Sequence, residues 1–174
     1  GISADTYGLS LILGGCEVTM WDLAGVYASL ARSLNHQTRN RGKMDPADFH
    51  PPYYIAPDQR STTNDQRSTM NIPFDATSIW FTFQAMQEVM RPGDEGLWEQ
   101  FGSSQRIAWK TGTSFGFRDG WAVGLNPKYV VVVWTGNTDG EGRPDLVGIK
   151  TAAPILFDIF RLLPVVSNFS KPKT

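Results

Sequence analysis

The chain has 174 residues, with 16 Lys and Arg against 17 Asp and Glu, so its formal net charge is −1. This length suits one domain or part of a larger one, and a near-neutral chain without a basic block argues against binding nucleic acid or a membrane surface through bulk charge. The single cysteine, Cys16, excludes a disulfide within the chain and a cysteine-based metal cluster, and no apolar run approaches the ~20 residues of a membrane-spanning helix.

An amphipathic helix is predicted to begin after Thr19. This residue is the predicted N-cap, and Asp22 follows it three residues later in a variant of the capping box. The apolar residues of this helix recur at the spacing of one helix face: Met20, Leu23, Ala24, Tyr27, Leu30, Ala31 and Leu34.

Residues 35–73 form the least regular stretch of the chain. In this stretch we expect a short strand at 53–55 and a mobile segment at 57–71.

A second helix is predicted over 76–90, with Asp75 or Thr77 as its N-cap. Pro92-Gly93 lies just beyond its end, as is common after a helix C-terminus. A short helical turn at 97–101 is expected to follow.

The apolar period then changes from helical to alternating, which predicts an antiparallel sheet. The short turn 126–128 should join the last two strands as a hairpin, and the valine-rich run 130–133 predicts a strand covered on both faces. A last helix, 152–163, can cover one face of this sheet. The three predicted strands are 106–113, 120–125 and 129–134.

The first of these strands contains the motif Lys110-Thr111-Gly112-Thr113. Strand alternation places Lys110 and Gly112 on one face and the two threonines on the other. In this arrangement the lysine supplies a positive charge beside a substrate carboxylate and a nucleophile's hydroxyl, and the threonine hydroxyls bind that carboxylate. Gly112 lets another element approach the backbone, and the N–H of Thr113 is one of two donors to a tetrahedral oxyanion. The alternative is a surface strand whose lysine points into water.

The surrounding sequence makes this motif far more specific. The matching segments are Tyr7-Gly8-Leu9-Ser10-Leu11, Gly14-Gly15, Glu17-Val18-Thr19, Lys110–Thr113, Arg118-Asp119-Gly120-Trp121-Ala122-Val123-Gly124, Trp134-Thr135-Gly136-Asn137 and Ala152-Ala153-Pro154. With these segments the chain resembles the C-terminal half of the transpeptidase domain of a class A penicillin-binding protein. The resemblance spans 1–163, and 164–174 is predicted to be a linker or tail.

The resemblance implies an α+β fold, in which an antiparallel sheet is flanked by helices. This is the penicillin-binding and serine β-lactamase-like transpeptidase fold, of which the chain would hold the later three strands and the final helix. It also implies that Lys110 and Thr113 take part in catalysis and that Thr111, Gly112 and Thr113 bind substrate. Neither a metal nor a cofactor is implied.

Members of this family use the serine of a Ser-x-x-Lys motif as nucleophile. The one literal match here, Ser170–Lys173, follows the Lys-Thr-Gly motif and contains Pro172, which forbids the interior of a helix. A literal Ser-x-Asn, Ser33-Leu34-Asn35, lies at the end of the first predicted helix and is interpreted as structural. We therefore expect the nucleophile and general base upstream of Gly1, and we expect the chain by itself to be inactive.

The parent protein implied by the resemblance is a serine acyltransferase that cross-links peptidoglycan stem peptides ending in D-Ala-D-Ala and that β-lactam antibiotics acylate. It would act on the periplasmic side of the bacterial inner membrane, with a glycosyltransferase domain and a membrane anchor outside this chain. Its partners would be stem peptides, β-lactams, the rest of the transpeptidase domain and other cell-wall synthesis proteins, but no nucleic acid. Two alternatives stay open: a carboxypeptidase or β-lactamase, and a non-catalytic penicillin sensor or interaction module.

The remaining chemically active residues are expected to be structural. His36 and His50 are predicted to be solvated surface histidines, without a metal. Cys16 is expected to be a small buried apolar residue. Asp119 is predicted to order the turn into the following strand rather than to act as a catalytic acid, and Trp109 to belong to the core.

Overall fold

The protein is described here by a computed structural model over residues 8–13, 15–40, 42–43, 45–54, 74–89 and 106–172. The four helices of this part are α1 (Met20–Arg39), α2 (Ala76–Gln87), α3 (Gly148–Thr151) and α4 (Ala153–Leu162). The three strands are β1 (Ala108–Thr113), β2 (Asp119–Leu125) and β3 (Val130–Gly136). Two short 3₁₀ helices are also present, Gly8–Leu13 and Pro46–Asp48.

The three strands form one antiparallel sheet in the order β1-β2-β3. Lys110 pairs with Val123, and Trp121 pairs with Trp134. The α+β class, the antiparallel sheet and its hairpin are therefore confirmed. The hairpin turn is closed by Asn126, whose Oδ1 accepts hydrogen bonds from the backbone N–H groups of Lys128 at 2.9 Å and Tyr129 at 2.8 Å.

Helices cover both faces of the sheet, and strand alternation decides which residues meet which helix. On one face Ala108 and Leu125 pack in a core cluster with residues of α1 and α2, among them Leu34 and Phe83. On the other face a second cluster joins strand residues to α4, and its buried members are Ile107, Trp109, Ala122, Val133, Ala152, Ala153, Leu156, Phe157 and Phe160. Val130 packs against the first cluster and Val131 against the second, so β3 is covered on both faces as predicted.

The first two helices begin where their capping side chains predict. Thr19 Oγ1 accepts the N–H of Asp22 at 3.0 Å and donates to its carboxylate at 2.8 Å, which satisfies one of the unpaired N–H groups of the first turn. Asp75, rather than Thr77, caps α2, because its Oδ1 accepts the N–H of Ser78 at 2.7 Å. Helix α1 continues to Arg39, beyond the apolar stripe that predicted it.

The segment 45–50 lies against α1 and is held there by polar contacts. Arg32 donates to the backbone oxygens of Asp48 at 3.0 Å and His50 at 2.8 Å, and Ser29 also donates to the His50 oxygen at 3.0 Å. His36 Nδ1 lies 2.9 Å from an oxygen of the Asp48 carboxylate. The prediction that His36 is a solvated surface histidine is therefore wrong, because the chain folds back and brings a carboxylate to it.

Several smaller predictions differ from the structure or lie outside it. Tyr53 and Tyr54 are not in a strand, and the third residue of that predicted strand lies outside the described residues. The predicted mobile segment 57–71 and the predicted helical turn at 97–101 also lie outside the described residues. The final helix begins at Ala153, after the separate short helix α3.

The residues after α4 contain no helix or strand as far as Pro172, yet they return to the core. Phe169 is buried, and its ring centroid lies 4.8 Å from that of Phe83 on α2. The amino group of Lys171 lies 5.6 Å from the ring centroid of Trp80. The assignment of 164–174 as a linker or tail stays a prediction. Among the described helices, none is both long and apolar enough to cross a membrane.

Candidate functional site

The motif Lys110–Thr113 lies on β1 at one side of the sheet. Within the described part of the chain, β1 pairs only with β2, so its opposite edge is not paired with a strand. Lys110, Gly112 and Thr113 are exposed, and Thr111 is half-buried. The motif is therefore accessible along an edge strand, which is where backbone donors and acceptors are free to bind another molecule.

Backbone geometry directs the amide of Thr113 toward this open edge. The next residue, Ser114, donates its N–H to the Asp119 oxygen at 3.0 Å, across to the β2 side. Because successive residues of an antiparallel strand turn their N–H and C=O groups to opposite sides, Thr113 and Thr111 face away from β2. The Thr113 N–H thus faces the open edge of β1 rather than β2.

The ammonium group of Lys110 lies at the same edge. Its Nζ donates to the backbone oxygen of Thr111, and no carboxylate among the described residues forms an ion pair with it. The side chain starts on the sheet face that α1 and α2 cover, which it shares with Ala108. Within the described part of the chain, Lys110 therefore presents a positive charge without a carboxylate partner, at the edge where the Thr111 oxygen lies.

The two threonine side chains project from the opposite sheet face, on the side of α3 and α4. Thr113 Oγ1 accepts a hydrogen bond from the backbone N–H of Gly148, the first residue of α3, at 3.1 Å. Because β1 is a regular strand paired with β2, Lys110 and Gly112 lie on one face of the sheet and the two threonines on the other, as predicted. The roles assigned to all four residues in binding and catalysis stay predictions.

Gly112 does not have the packing role that the sequence suggested. A Cβ at Gly112 would meet only the Cβ of Trp121, at an ordinary 3.6 Å. The close approach is instead made by Gly148, where a Cβ would lie 2.3 Å from the Gly112 oxygen and 2.5 Å from the Trp121 oxygen. Sequence reasoning missed Gly148, although it stands just before the Ala152-Ala153-Pro154 segment that carries the resemblance.

The turn after the motif is held by side-chain contacts. Ser114 Oγ accepts the N–H of Asp119 at 2.8 Å, and an Asp119 carboxylate oxygen accepts the indole N–H of Trp134 at 2.8 Å. These contacts agree with a structural role for Asp119. The turn leaves Phe115 fully exposed and holds Phe117 at a φ of 55°, an uncommon backbone conformation for a bulky residue.

The two serine motifs that the sequence analysis interpreted as non-catalytic do not lie at this edge. Ser33 is completely buried on α1, where a substrate could not reach it. Ser170 is exposed in the tail segment after α4, which is not helical there. Neither serine therefore has the setting of a nucleophile.

Other reactive side chains do not form a second site. Cys16 is exposed, so the prediction that it is buried is wrong; it precedes α1 and lies outside both core clusters. His50 stacks on Tyr53, with ring centroids 4.9 Å apart. Trp109 is a core residue as predicted: it packs against Phe157 with centroids 5.0 Å apart and donates its indole N–H to the Val89 oxygen at 3.0 Å. Among the described residues, no three His, Cys, Asp or Glu side chains are grouped to hold a metal ion.

Known proteins with similar amino-acid sequences indicate the family to which this edge strand belongs. Over 155 residues, the chain is 30% identical to penicillin-binding protein 1C of Escherichia coli. The aligned residues make up 89% of this chain and 17% of that protein. The chain is homologous to the penicillin-binding proteins. It is also 25% identical over 132 residues to penicillin-binding protein 1B of Vibrio cholerae, covering 76% of this chain and 16% of that protein.

This penicillin-binding protein homologue spans less than a fifth of the length of the curated relatives it matches. A shorter match, 33% identical over 66 residues, is to penicillin-binding protein 1B of Buchnera aphidicola. No protein-family model matches the chain, and no solved structure does. The resemblance predicted from the motifs is thus confirmed by whole-sequence similarity.

Proposed function

We propose that this chain is part of a peptidoglycan D,D-transpeptidase and forms one side of its active site. The observation that carries the proposal is the exposed Lys110–Thr113 edge of β1 in a homologue of penicillin-binding proteins. The chain corresponds in this proposal to the C-terminal half of the transpeptidase domain. The longer protein would be a bifunctional glycosyltransferase and transpeptidase.

The chemistry that this edge supports is acyl transfer through a serine supplied by another part of the longer protein. The serine oxygen attacks the carbonyl carbon of the D-Ala-D-Ala amide, and a general base, also outside this chain, takes its proton. Collapse of the tetrahedral intermediate breaks the C–N bond and releases the terminal D-Ala, whose amine takes up a proton. An amine of a neighbouring stem peptide then attacks the acyl-enzyme, and the serine leaves.

Each motif residue has a separate task in this scheme. The Thr113 N–H points from the open edge toward the developing oxyanion, and one such donor is worth roughly 10²–10³ in rate. The Lys110 ammonium provides the positive field for the substrate carboxylate and for the serine hydroxyl. The hydroxyls of Thr111 and Thr113 donate to the terminal carboxylate, and Gly112 leaves space for the substrate at the backbone.

Exposed apolar side chains support the proposal that the rest of the domain packs on this chain. Met20, Trp21 and Val26 of α1 are exposed, as are Val18 just before the helix and Leu9. Exposed groups of large apolar residues commonly mark surfaces that another part of a protein covers. The preceding half of the transpeptidase domain is the occupant we propose for this surface.

The proposed location follows from the same family assignment. Peptidoglycan is cross-linked outside the cytoplasm, so the longer protein would act on the periplasmic side of the bacterial inner membrane, anchored by a segment outside this chain. β-Lactams would acylate the same serine. Other cell-wall synthesis proteins are proposed as partners.

A fluorescent penicillin tests this function directly. We expect covalent labelling of the longer protein that contains this chain and no labelling of the chain alone. In the longer protein, Lys110→Ala should weaken substrate binding by about 2–5 kcal/mol, the cost of breaking an ion pair that the bound substrate buries, and acylation should slow accordingly. Lys128→Ala is the matched control, because Lys128 is exposed on the hairpin turn, where its amino group lies 5.4 Å from the ring centroid of the neighbouring Tyr129.

The outcomes separate the alternatives. An unlabelled longer protein would contradict the penicillin-binding function, and labelling of the isolated chain would contradict our assignment of the nucleophile to another segment. Labelling that is lost again within minutes through hydrolysis would favour the carboxypeptidase or β-lactamase. Stable labelling without any cross-linked product would favour the sensor.

A further inference from the structure

We propose that Gly148 is a positioning residue, whose backbone N–H orients the Thr113 hydroxyl so that it donates to a substrate carboxylate. The proposal deepens the proposed function and rests on it. It assigns a role in carboxylate selectivity to a residue 35 positions away from Thr113 in the sequence and outside the Lys-Thr-Gly motif.

The hydrogen bond between the two residues limits what the hydroxyl can do. The Gly148 N–H donates to Thr113 Oγ1 at 3.1 Å, which occupies one of the two lone pairs of that oxygen. Thr113 is exposed while Gly148 is buried, so the contact is on the protein side of the hydroxyl. The hydroxyl hydrogen therefore points away from Gly148, toward whatever molecule lies against β1. The hydroxyl can therefore donate this hydrogen to a carboxylate bound there while it still accepts from Gly148.

Gly148 can reach this position only because it has no side chain. The nearest atoms to a Cβ at this residue all belong to backbone: the Gly112 oxygen at 2.3 Å, the Trp121 oxygen at 2.5 Å and the Trp121 nitrogen at 3.0 Å. Backbone atoms of β1 and β2 cannot move aside as the end of a flexible side chain would. An alanine at this position must therefore shift the start of α3 and lengthen the hydrogen bond to Thr113.

The end of α3 is held against the sheet by a second set of contacts that does not include Thr113. Thr151 of α3 and Thr135 of β3 share a hydrogen bond at 2.7 Å between their hydroxyl oxygens. Thr135 also lies 3.2 Å from the Gly120 oxygen, to which it donates. These contacts stabilise the helix position without touching the motif, and they supply a control for purely structural effects.

Two ligands that differ only in the carboxylate test the proposal. In the longer protein, we would measure second-order acylation rates with a penicillin and with its carboxylate methyl ester, and take their ratio as the carboxylate selectivity. Gly148→Ala should lower this selectivity roughly tenfold, the effect of losing one hydrogen bond to a charged group. In a Thr113→Val background, where there is no hydroxyl to orient, Gly148→Ala should leave the selectivity unchanged.

The structural control is Thr135→Val, which removes the hydroxyl contact to Thr151 at the end of α3 and leaves the hydrogen bond between Gly148 and Thr113 in place. Its thermal midpoint should fall, while its carboxylate selectivity should stay at the wild-type value. Thr113→Ser keeps a hydroxyl at the same place and should restore most of the selectivity that Thr113→Val loses.

A measurement without any ligand covers the case in which Gly148→Ala fails to fold. Hydrogen–deuterium exchange of the peptide 147–151 in the longer protein should speed up in Thr113→Val, because the Gly148 N–H loses its acceptor. It should stay slow in Thr113→Ser. Equal exchange in all three proteins would overturn the proposal.

The result distinguishes this inference from the proposed function. A wild-type protein that penicillin does not label contradicts the proposed function, and the inference falls with it. A labelled wild type whose Gly148→Ala variant loses activity equally toward acid and ester keeps the function and overturns the inference. A persistent Gly148→Ala effect on selectivity in the Thr113→Val background would do the same.

Discussion

Tyr27 shows how a single side chain on α1 couples the fold to pH. Its ring packs against the core cluster between α1, α2 and the sheet. Burial raises the pKa of the Tyr27 phenol above its ordinary value of 10.0, because desolvation disfavours the phenolate. The unfolded chain therefore loses this proton at a lower pH than the folded chain does.

This shift predicts a loss of stability at alkaline pH. The contribution of Tyr27 is complete below the pKa of the unfolded chain and is lost as the pH rises through the higher pKa of the folded state. We expect the unfolding free energy, measured by urea denaturation, to fall less steeply above about pH 10 in Tyr27→Phe than in the wild type. Tyr54→Phe is the control. Because Tyr54 is 91% exposed, this substitution should leave the slope of unfolding free energy against pH unchanged.

Residues Gly148, Gly120 and Gly112 show that the same residue type meets different demands in one site. A Cβ would be excluded at Gly148 and Gly120, where neighbouring atoms lie within 3.0 Å of it, but is sterically tolerated at Gly112. If Gly112 is required for function, the requirement comes from a bound substrate or from another part of the longer protein. Packing among the described residues does not impose it.

At the scale of elements, α1 carries more than an apolar face. Its polar side binds the segment 45–50 through Arg32 and Ser29, which converge on the backbone oxygen of His50. Desolvation lowers the pKa of the Arg32 guanidinium, while the charge of Asp48 acts in the opposite direction. The hydrogen bonds from Arg32 to two backbone carbonyls offset the free-energy cost of desolvating its guanidinium group.

Removal of Arg32 should therefore release this segment from α1. We expect Arg32→Ala to lower the unfolding free energy by about 1–3 kcal/mol, because hydrogen bonds to a charged donor are lost. Urea denaturation measures the change, and faster hydrogen–deuterium exchange at 45–50 should accompany it. Arg39→Ala, at the exposed end of the same helix, is the matched control. Equal destabilisation by both substitutions would contradict the role assigned to Arg32.

The order of elements around β1 also explains how an edge strand can serve a site. Helices cover both faces of the sheet and β2 pairs one side of β1. Among the described residues, the remaining edge leaves the Thr113 N–H without a strand partner, while the Thr111 C=O accepts a hydrogen bond from the Lys110 ammonium. Rigid support on three sides is what holds such groups in place for a bound molecule.

At the scale of the whole molecule, the residues after α4 close the core on the side of α1 and α2. Phe169 packs in the cluster that contains Phe83, Leu34 and Ala108, although it stands far from all of them in the sequence. Such a contact joins the end of the described chain to its first helices. The tail is therefore part of the core of this chain.

This packing predicts a large effect of truncating the ring. Phe169→Ala should lower the unfolding free energy by about 3–5 kcal/mol, the usual cost of removing a buried aromatic side chain. Val165→Ala in the same segment is the control, because Val165 is 78% exposed and its loss should change little. Denaturation of both variants in urea gives the comparison. A neutral Phe169→Ala would mean that the tail does not stabilise the fold.

Local features of this protein could be predicted from its sequence. The apolar period predicted α1 and the alternation of the strands, Thr19 was the expected cap, and the turn at 126–128 predicted the hairpin. Each of these depends on hydrogen bonds and side-chain spacing within a few residues. The motif segments were also sufficient to predict homology to penicillin-binding proteins, which the comparisons confirmed.

Only the tertiary structure decided the contacts between distant segments. It brought Asp48 to His36, left Cys16 exposed, returned Phe169 to the core and placed Gly148 against Thr113. These contacts depend on where the chain returns after loops, and no local pattern of hydrophobicity or hydrogen bonding encodes that return. The amino-acid sequence by itself therefore predicted which residues are candidates for the chemistry, whereas packing determined which edge they face and which distant backbone group contacts them.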